Sequence, residues 1–197
     1  MTTVTAKRFT LSEYHRLGEL GFFGPDERVE LIRGEILQMP TKKTPHSVCN
    51  TRLVRILIRL LGDRAIVRGQ EPIILPADSE PQPDVVIARN RADDYLSSHP
   101  EPADILLVVE ISDSTLSYDQ VRKLSIYAED GISNYWIFNL VSNWLEVYSE
   151  PYQESRDKFG YRLKRIVLLN ESVVIPGFPD LFLDLSGVFP MQHEKEI

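Results

Sequence analysis

Two acids and one lysine stand where a purely structural reading does not need them. Asp84 follows Pro83 at the head of the apolar run Val85-Val86-Ile87-Ala88, and Glu110 interrupts the run from Ile105 to Ile111. A proline belongs at a strand's first position, so Asp84 sits at the rim of a sheet. A glutamate inside an apolar strand is costly to bury unless it is paired, protonated or bound to a cation. Mg²⁺ takes oxygen ligands at roughly 2.1 Å, usually only one or two of them protein carboxylates, and leaves room for water and substrate phosphate. Asp84 and Glu110 on neighbouring strands supply such a pair, and the main-chain carbonyl of Ile111 can complete the protein's share. Lys123 lies on the helix that follows the Glu110 strand. An ammonium there can position and help deprotonate an attacking water and offset charge on a phosphorane-like transition state. The chemistry is divalent-metal hydrolysis of a phosphodiester. Each residue also has a structural reading. Asp84 can accept a turn hydrogen bond, Glu110 can form a buried ion pair with Lys123 or an arginine, and Lys123 can pair with Asp119 at the surface for about 0.3–0.5 kcal/mol.

The surrounding elements must position these groups. Thr10-Leu11-Ser12-Glu13 reads as a capping box opening a helix from Leu11 to about Leu20. Val29 to Ile32 and Glu35 to Met39 flank Arg33-Gly34 as a hairpin. Thr44-Pro45 opens a longer helix, with apolar residues at helical spacing until Gly62. Strands are predicted at 65–67, 72–75, 84–88 and 105–111. The last two are continuously apolar, as central strands covered by helices on both sides require. A helix from Asp119 to about Asp130 stops at Gly131. Strands follow at 135–138, 144–148, 161–169 and 173–175, then a packing segment around Leu181, Phe182 and Leu185. The expected fold class is α/β with mixed α+β character: a central mixed β-sheet flanked by helices.

The chain has 197 residues, 43% of them hydrophobic, which suffices for one domain over 1–190 with a flexible tail at 191–197. No apolar run approaches the roughly 20 residues of a membrane span, and the N-terminus lacks a signal peptide's apolar core, so a soluble cytoplasmic protein is expected. Cys49 is the single cysteine and reads as packing. A net charge of −7 counts against a general nucleic-acid binder but not against a nuclease, whose site is acidic before its ion arrives.

The ordered set of residues resembles the PD-(D/E)XK nuclease superfamily, in particular its branch of small bacterial restriction-endonuclease-like proteins. The likeness runs from about Phe9 to about Phe189. It rests on Glu30 in Val29-Glu30-Leu31-Ile32-Arg33-Gly34-Glu35, on Met39-Pro40 and His46, and on Pro83-Asp84-Val85-Val86. It continues through Val109-Glu110-Ile111-Ser112 with Thr115, Asp119 and Lys123, and through the stretch from Gly131 to Ile137. The resemblance implies a restriction-endonuclease-like core, with Asp84 and Glu110 as metal ligands, Lys123 as the catalytic lysine and Glu30 as an auxiliary acid. It implies a Mg²⁺- or Mn²⁺-dependent endonuclease that cuts DNA by metal-activated water without a covalent intermediate, leaving a 5′-phosphate and a 3′-hydroxyl, and usually a homodimer. One departure matters: the superfamily lysine normally sits two residues after the acid, and Ser112 stands there. If Lys123 does not reach the metal, the site is impaired or relies on the metal alone. An alternative is a binding or assembly protein that keeps the nuclease architecture without efficient catalysis. A third reading is a hydrolase of another phosphoester.

Further candidates for substrate contact are His46, which can touch phosphate or orient Glu30, Gln70 beside the cleft, and Ser112, which can bond a phosphate or cap Asp113 to Thr115. Arg52, Arg55 and Arg59 recur at helical spacing as a phosphate-facing stripe or a solvated face. A second basic region, from Arg156 to Arg165, reads equally as a charged sheet edge.

Overall fold

The structure is a computed structural model that describes residues 4–76 and 78–190; the tail expected at 191–197 lies outside the described residues. Helix α1 (Leu11–Glu19) opens as the capping box dictates. Thr10 Oγ1 accepts from the Glu13 N–H at 3.2 Å, and the Glu13 carboxylate accepts from the Thr10 N–H at 2.9 Å. Strands β1 (Val29–Ile32) and β2 (Glu35–Gln38) form the expected antiparallel hairpin. Its two turn residues both adopt positive φ, 49° at Arg33 and 74° at Gly34, the geometry of a tight hairpin turn. A Cβ on Gly34 would lie 2.8 Å from Arg8 Cβ and 2.9 Å from the Phe9 carbonyl. Gly34→Ala is therefore expected to cost about 1–3 kcal/mol, read as a lower midpoint in thermal unfolding.

Helix α2 (Thr44–Leu61) carries Pro45 in its first turn and ends at Gly62, where φ is 50°. A six-stranded sheet has the order β3 (Ile66–Gly69), β4 (Val85–Ala88), β5 (Ile105–Ser112), β6 (Asn134–Asn139), β7 (Trp144–Ser155) and β8 (Lys158–Leu168). All neighbours are antiparallel except β5 and β6. A parallel pair needs a crossover. Helix α3 (116–129) supplies it, as a first turn Leu116–Tyr118, a wide π turn Asp119–Lys123 and an α-helical turn Leu124–Glu129. A separate antiparallel pair, β9 (Ser172–Ile175) and β10 (Phe178–Asp184), follows.

Strand alternation divides the core into two layers. Val85, Ile87, Val109, Ile111, Trp136 and Phe138 pack with Cys49, Leu53 and Leu57 of α2, together with Val173 and Leu183 of the β9–β10 pair. Val86, Ala88, Val108, Tyr135 and Ile137 pack with Ile126 and Tyr127 of α3. The fold is thus the expected mixed α/β arrangement of a central mixed sheet flanked by helices. Burial pushes the Cys49 thiol up to about 12, consistent with its packing role.

Some details differ from expectation. Residues 72–75 form no strand, only an isolated Leu75–Ser79 bridge, because proline at 72 and 76 removes ladder donors at both ends. Helix α3 begins at Leu116, three residues early. The C-terminal packing segment is the strand β10. Leu185, in the short 3-10 turn just after it, is buried as expected, but Phe182 is exposed. No helix among the described residues is long and apolar enough to cross a membrane.

Candidate active site

The pairing of β4 with β5 sets Val85 opposite Val109, so the next step outward brings Asp84 beside Glu110. Beyond the irregularity at its start, the even-numbered residues of β5 from Val108 onward point to the α3 layer. This direction carries Glu110 and Ser112 under the helix that brings Asp119, Lys123 and Tyr127. The wide turn of α3 is fixed from outside. The Leu124 N–H reaches back five residues to the Asp119 carbonyl, which also accepts from Tyr135 Oη at 3.1 Å. Gln120 Nε2 donates to both carboxylate oxygens of Glu146 at 2.9 and 3.0 Å. The β1–β2 hairpin lies over the same helix through Arg33–Glu129 and Arg122–Glu35 ion pairs, and so delivers Glu30 from the opposite side.

The result is a compact charge cluster. Lys123 Nζ donates to Glu110 Oε1 at 2.9 Å and to Glu30 Oε1 at 3.2 Å, and Tyr127 Oη donates to the same Glu110 oxygen at 2.8 Å. Lys123 is 1% exposed and Glu110 4%. The buried ion pair considered for Glu110 is therefore present, and the surface pairing of Lys123 with Asp119 is not. Asp84, 5% exposed, accepts from Lys42 Nζ on Oδ1 and from the Ile111 N–H on Oδ2, which also pairs with His46 Nε2, each at 2.9 Å. His46 thus orients Asp84 rather than Glu30.

Glu30, Lys42, His46, Asp84, Glu110, Ile111 and Lys123 all line one cleft, with Asp113 and Ser114 across its mouth. The cleft has a volume of about 50 Å³, enough for a small ion with a few waters. The other expected residues lie elsewhere. Ser112 is fully buried and, instead of capping the following turn, donates to Asp119 Oδ2 at 2.7 Å, as does Thr115. Gln70 is exposed on a separate groove with Arg55 and Arg59. Arg52 is diverted to the Phe189 carbonyl at 2.6 Å. Lys42 and Tyr127 were not anticipated. Tyr127 follows Lys123 by four residues on one helix face, a readable signal, whereas nothing in the sequence points Lys42 at Asp84.

Electrostatics separate the two acids. Burial raises Asp84, but the His46 and Lys42 contacts outweigh it and hold the carboxyl at about 2. Burial dominates at Glu110 and lifts it to about 8 despite the attraction of Lys123. Burial opposes the charge on Lys123, yet Glu110, Glu30 and Asp119 around it raise its pKa well above the usual lysine value. Near neutrality Glu110 keeps its proton. Lys123 therefore stays an ammonium, which stabilises negative charge but does not accept a proton from water.

Among the described residues, no three His, Cys, Asp or Glu side chains are gathered as a ready metal cluster. The donor set still suits a hard cation that takes few protein ligands. Glu30 Oε2 is buried with no hydrogen-bond partner, and the known donors to Glu110 engage only its Oε1.

No curated protein matches the sequence. A crystal structure from Anabaena variabilis ATCC 29413, described as "a putative nuclease belonging to DUF820", superposes with a TM-score of 0.67 at 17% identity, covering 92% of this chain and 97% of that one. The two proteins share a fold. Residues 11–186 match the Uma2 family, described as "Putative restriction endonuclease", and the chain belongs to that family.

Proposed function

We propose that the protein is a divalent-metal-dependent endonuclease that hydrolyses DNA phosphodiester bonds with water as nucleophile. The observation that carries the reading is the meeting of Asp84 and Glu110 on one cleft wall, with the Lys123 ammonium between Glu110 and Glu30. Asp84, Glu110 and the Ile111 carbonyl would hold Mg²⁺ or Mn²⁺. Such an ion supplies a more acidic water and positive charge beside the phosphate oxygens. The protein's own groups do the rest. Lys123 offsets charge that builds on phosphorus-bound oxygen, His46 keeps Asp84 in orientation, and Tyr127 fixes the Glu110 carboxyl. Glu30 Oε2 is the buried acceptor without a donor, available to the proton that the attacking water loses. Water adds to phosphorus as the bond to the 3′-oxygen breaks, and that oxygen takes up a proton from solvent, giving a 5′-phosphate and a 3′-hydroxyl. Cutting both strands at one place asks for two clefts, which a homodimer in the cytoplasm would supply.

Incubation of the purified chain with supercoiled plasmid and Mg²⁺ or Mn²⁺ tests the reading. Nicking by wild type but not by Asp84→Asn, Glu110→Gln or Lys123→Ala supports it, and cleavage indifferent to all three substitutions refutes it. A second reading, nucleic-acid binding without efficient cleavage, draws on Lys42 and Lys123 already neutralising the two acids. Binding without nicking would favour that reading.

Lys42 gives a separate prediction. Its ammonium sits where a divalent cation would compete for Asp84 Oδ1, so Lys42→Ala is expected to tighten Mn²⁺ binding about fivefold, equivalent to ~1 kcal/mol. Calorimetric titration measures it; weakened binding would instead make Lys42 a support for the site.

A further inference from the structure

In a chain with 29 acidic residues, the 18 residues of α2 contain none. Its N-cap Lys43 and, on its outer surface, Ser47, Thr51, Arg55 and Arg59 follow one another at four-residue intervals, each exposed. Residues four apart on a helix are adjacent, with about 5–6 Å between Cβ atoms, and form a continuous ridge that winds about 40° round the axis at each step. The ridge starts at the cleft: Lys43 is one of its lining residues and pairs with Asp113 across the mouth at 3.2 Å. It ends at two arginines that make no ion pair among the described residues. They line an open groove of about 560 Å³ between α2 and β3, together with Thr51, Val54, Ile58 and Gln70. The groove is joined to the cleft through the backbone, because the Gln70 N–H donates to the Asp84 carbonyl at 3.0 Å.

We propose that this ridge is the track along which the phosphate backbone of duplex DNA leaves the cleft. The proposal rests on the endonuclease reading for the direction of the strand and deepens it by naming where the substrate lies. A polyanion is the partner that an acid-free, hydroxyl- and guanidinium-bearing ridge fits, on a chain whose net charge of −7 repels it elsewhere. Sixteen residues from Lys43 to Arg59 rise about 24 Å. At 3.4 Å per nucleotide that matches about seven base-pair steps. Cationic groups then meet phosphates at both ends, and hydroxyls meet them between. Arg52, held by the Phe189 carbonyl, is not part of the track.

The test is fluorescence anisotropy of a 30-base-pair duplex with the full chain, without divalent cations, from 50 to 200 mM KCl. Each phosphate contact contributes about 0.9 to the slope of log K against log salt. Arg55→Ala/Arg59→Ala is expected to lower the slope by about 1.8 and to weaken binding. Arg55→Lys/Arg59→Lys should keep the slope, and Arg162→Ala/Arg165→Ala on β8 should leave it unchanged. An unchanged slope in the alanine pair, an equal loss in the β8 pair, or no duplex binding by wild type would overturn the track. Plasmid cleavage fails or succeeds independently. Cutting by wild type with no slope change removes the track alone, and a slope change without cutting removes the nuclease reading alone.

Discussion

Lys123→Met is expected to abolish cleavage and to destabilise the protein by about 3–5 kcal/mol at pH 9, because at that pH wild-type Glu110 is ionised and the substitution removes the cation it shares with Glu30. The midpoint of thermal unfolding should fall on the order of 10 °C. The loss comes from uncompensated charge, so it has two signatures that lost packing does not share. The Lys123→Met/Glu110→Gln double variant should be more stable than Lys123→Met alone, and the deficit of Lys123→Met against wild type should shrink from pH 9 to pH 5, where Glu110 holds its proton in both proteins. Urea unfolding at the two pH values measures both. Equal destabilisation at pH 5 and pH 9, with no rescue by the second substitution, would show that Lys123 acts through its aliphatic stem.

The second large effect is a coupling between protons and metal. Glu110 titrates at about 8 in the folded protein against a usual 4.5, so between these values the folded state holds a proton that the unfolded chain does not. Stability of the metal-free protein should therefore fall as pH rises from 4.5 through 8. Asp84 contributes the opposite slope only at strongly acidic pH, since its carboxyl lies at about 2 and loses its stabilisation as pH falls towards that value. A divalent ion must displace the Glu110 proton, so Mn²⁺ affinity is expected to rise about tenfold per pH unit through neutrality and to level off above about 8. Calorimetry in buffers of different ionisation enthalpy counts the released proton directly. Affinity flat between pH 6 and 8, with no proton released, would remove Glu110 from the ligand set.

What the sequence made legible, and what it hid, follows from which residues obey a local period. The cost of Glu110 within an apolar run was visible, and so was the position of Asp84 at a strand mouth, because burial in a central strand depends on neighbours in sequence. The capping box at Thr10, the Arg33-Gly34 turn and the stop at Gly62 were readable for the same reason. Lys42 was not. It lies in the irregular segment between β2 and α2, where side-chain direction is set by how the hairpin docks on α3. Nor could the wide turn at Asp119 be foreseen, since it is held by Tyr135 and Gln120 contacts to strands that come later in the chain. Residues 72–75 show the converse: they are β-rich in composition, and Ile73 and Leu75 are fully buried, yet flanking prolines deny them a ladder. Strand β10 escaped notice because Pro179 interrupts it. The arginine stripe was visible as a period, but the structure divides it, sending Arg52 to the Phe189 carbonyl and leaving Arg55 and Arg59 with Gln70.

The most direct measurement is a calorimetric titration of Mn²⁺ into wild type, Asp84→Asn and Glu110→Gln at pH 8. A single site in wild type that is lost in both variants is the predicted result. Undiminished binding in both variants, with their folds intact, would contradict the claim that these two carboxylates share an ion.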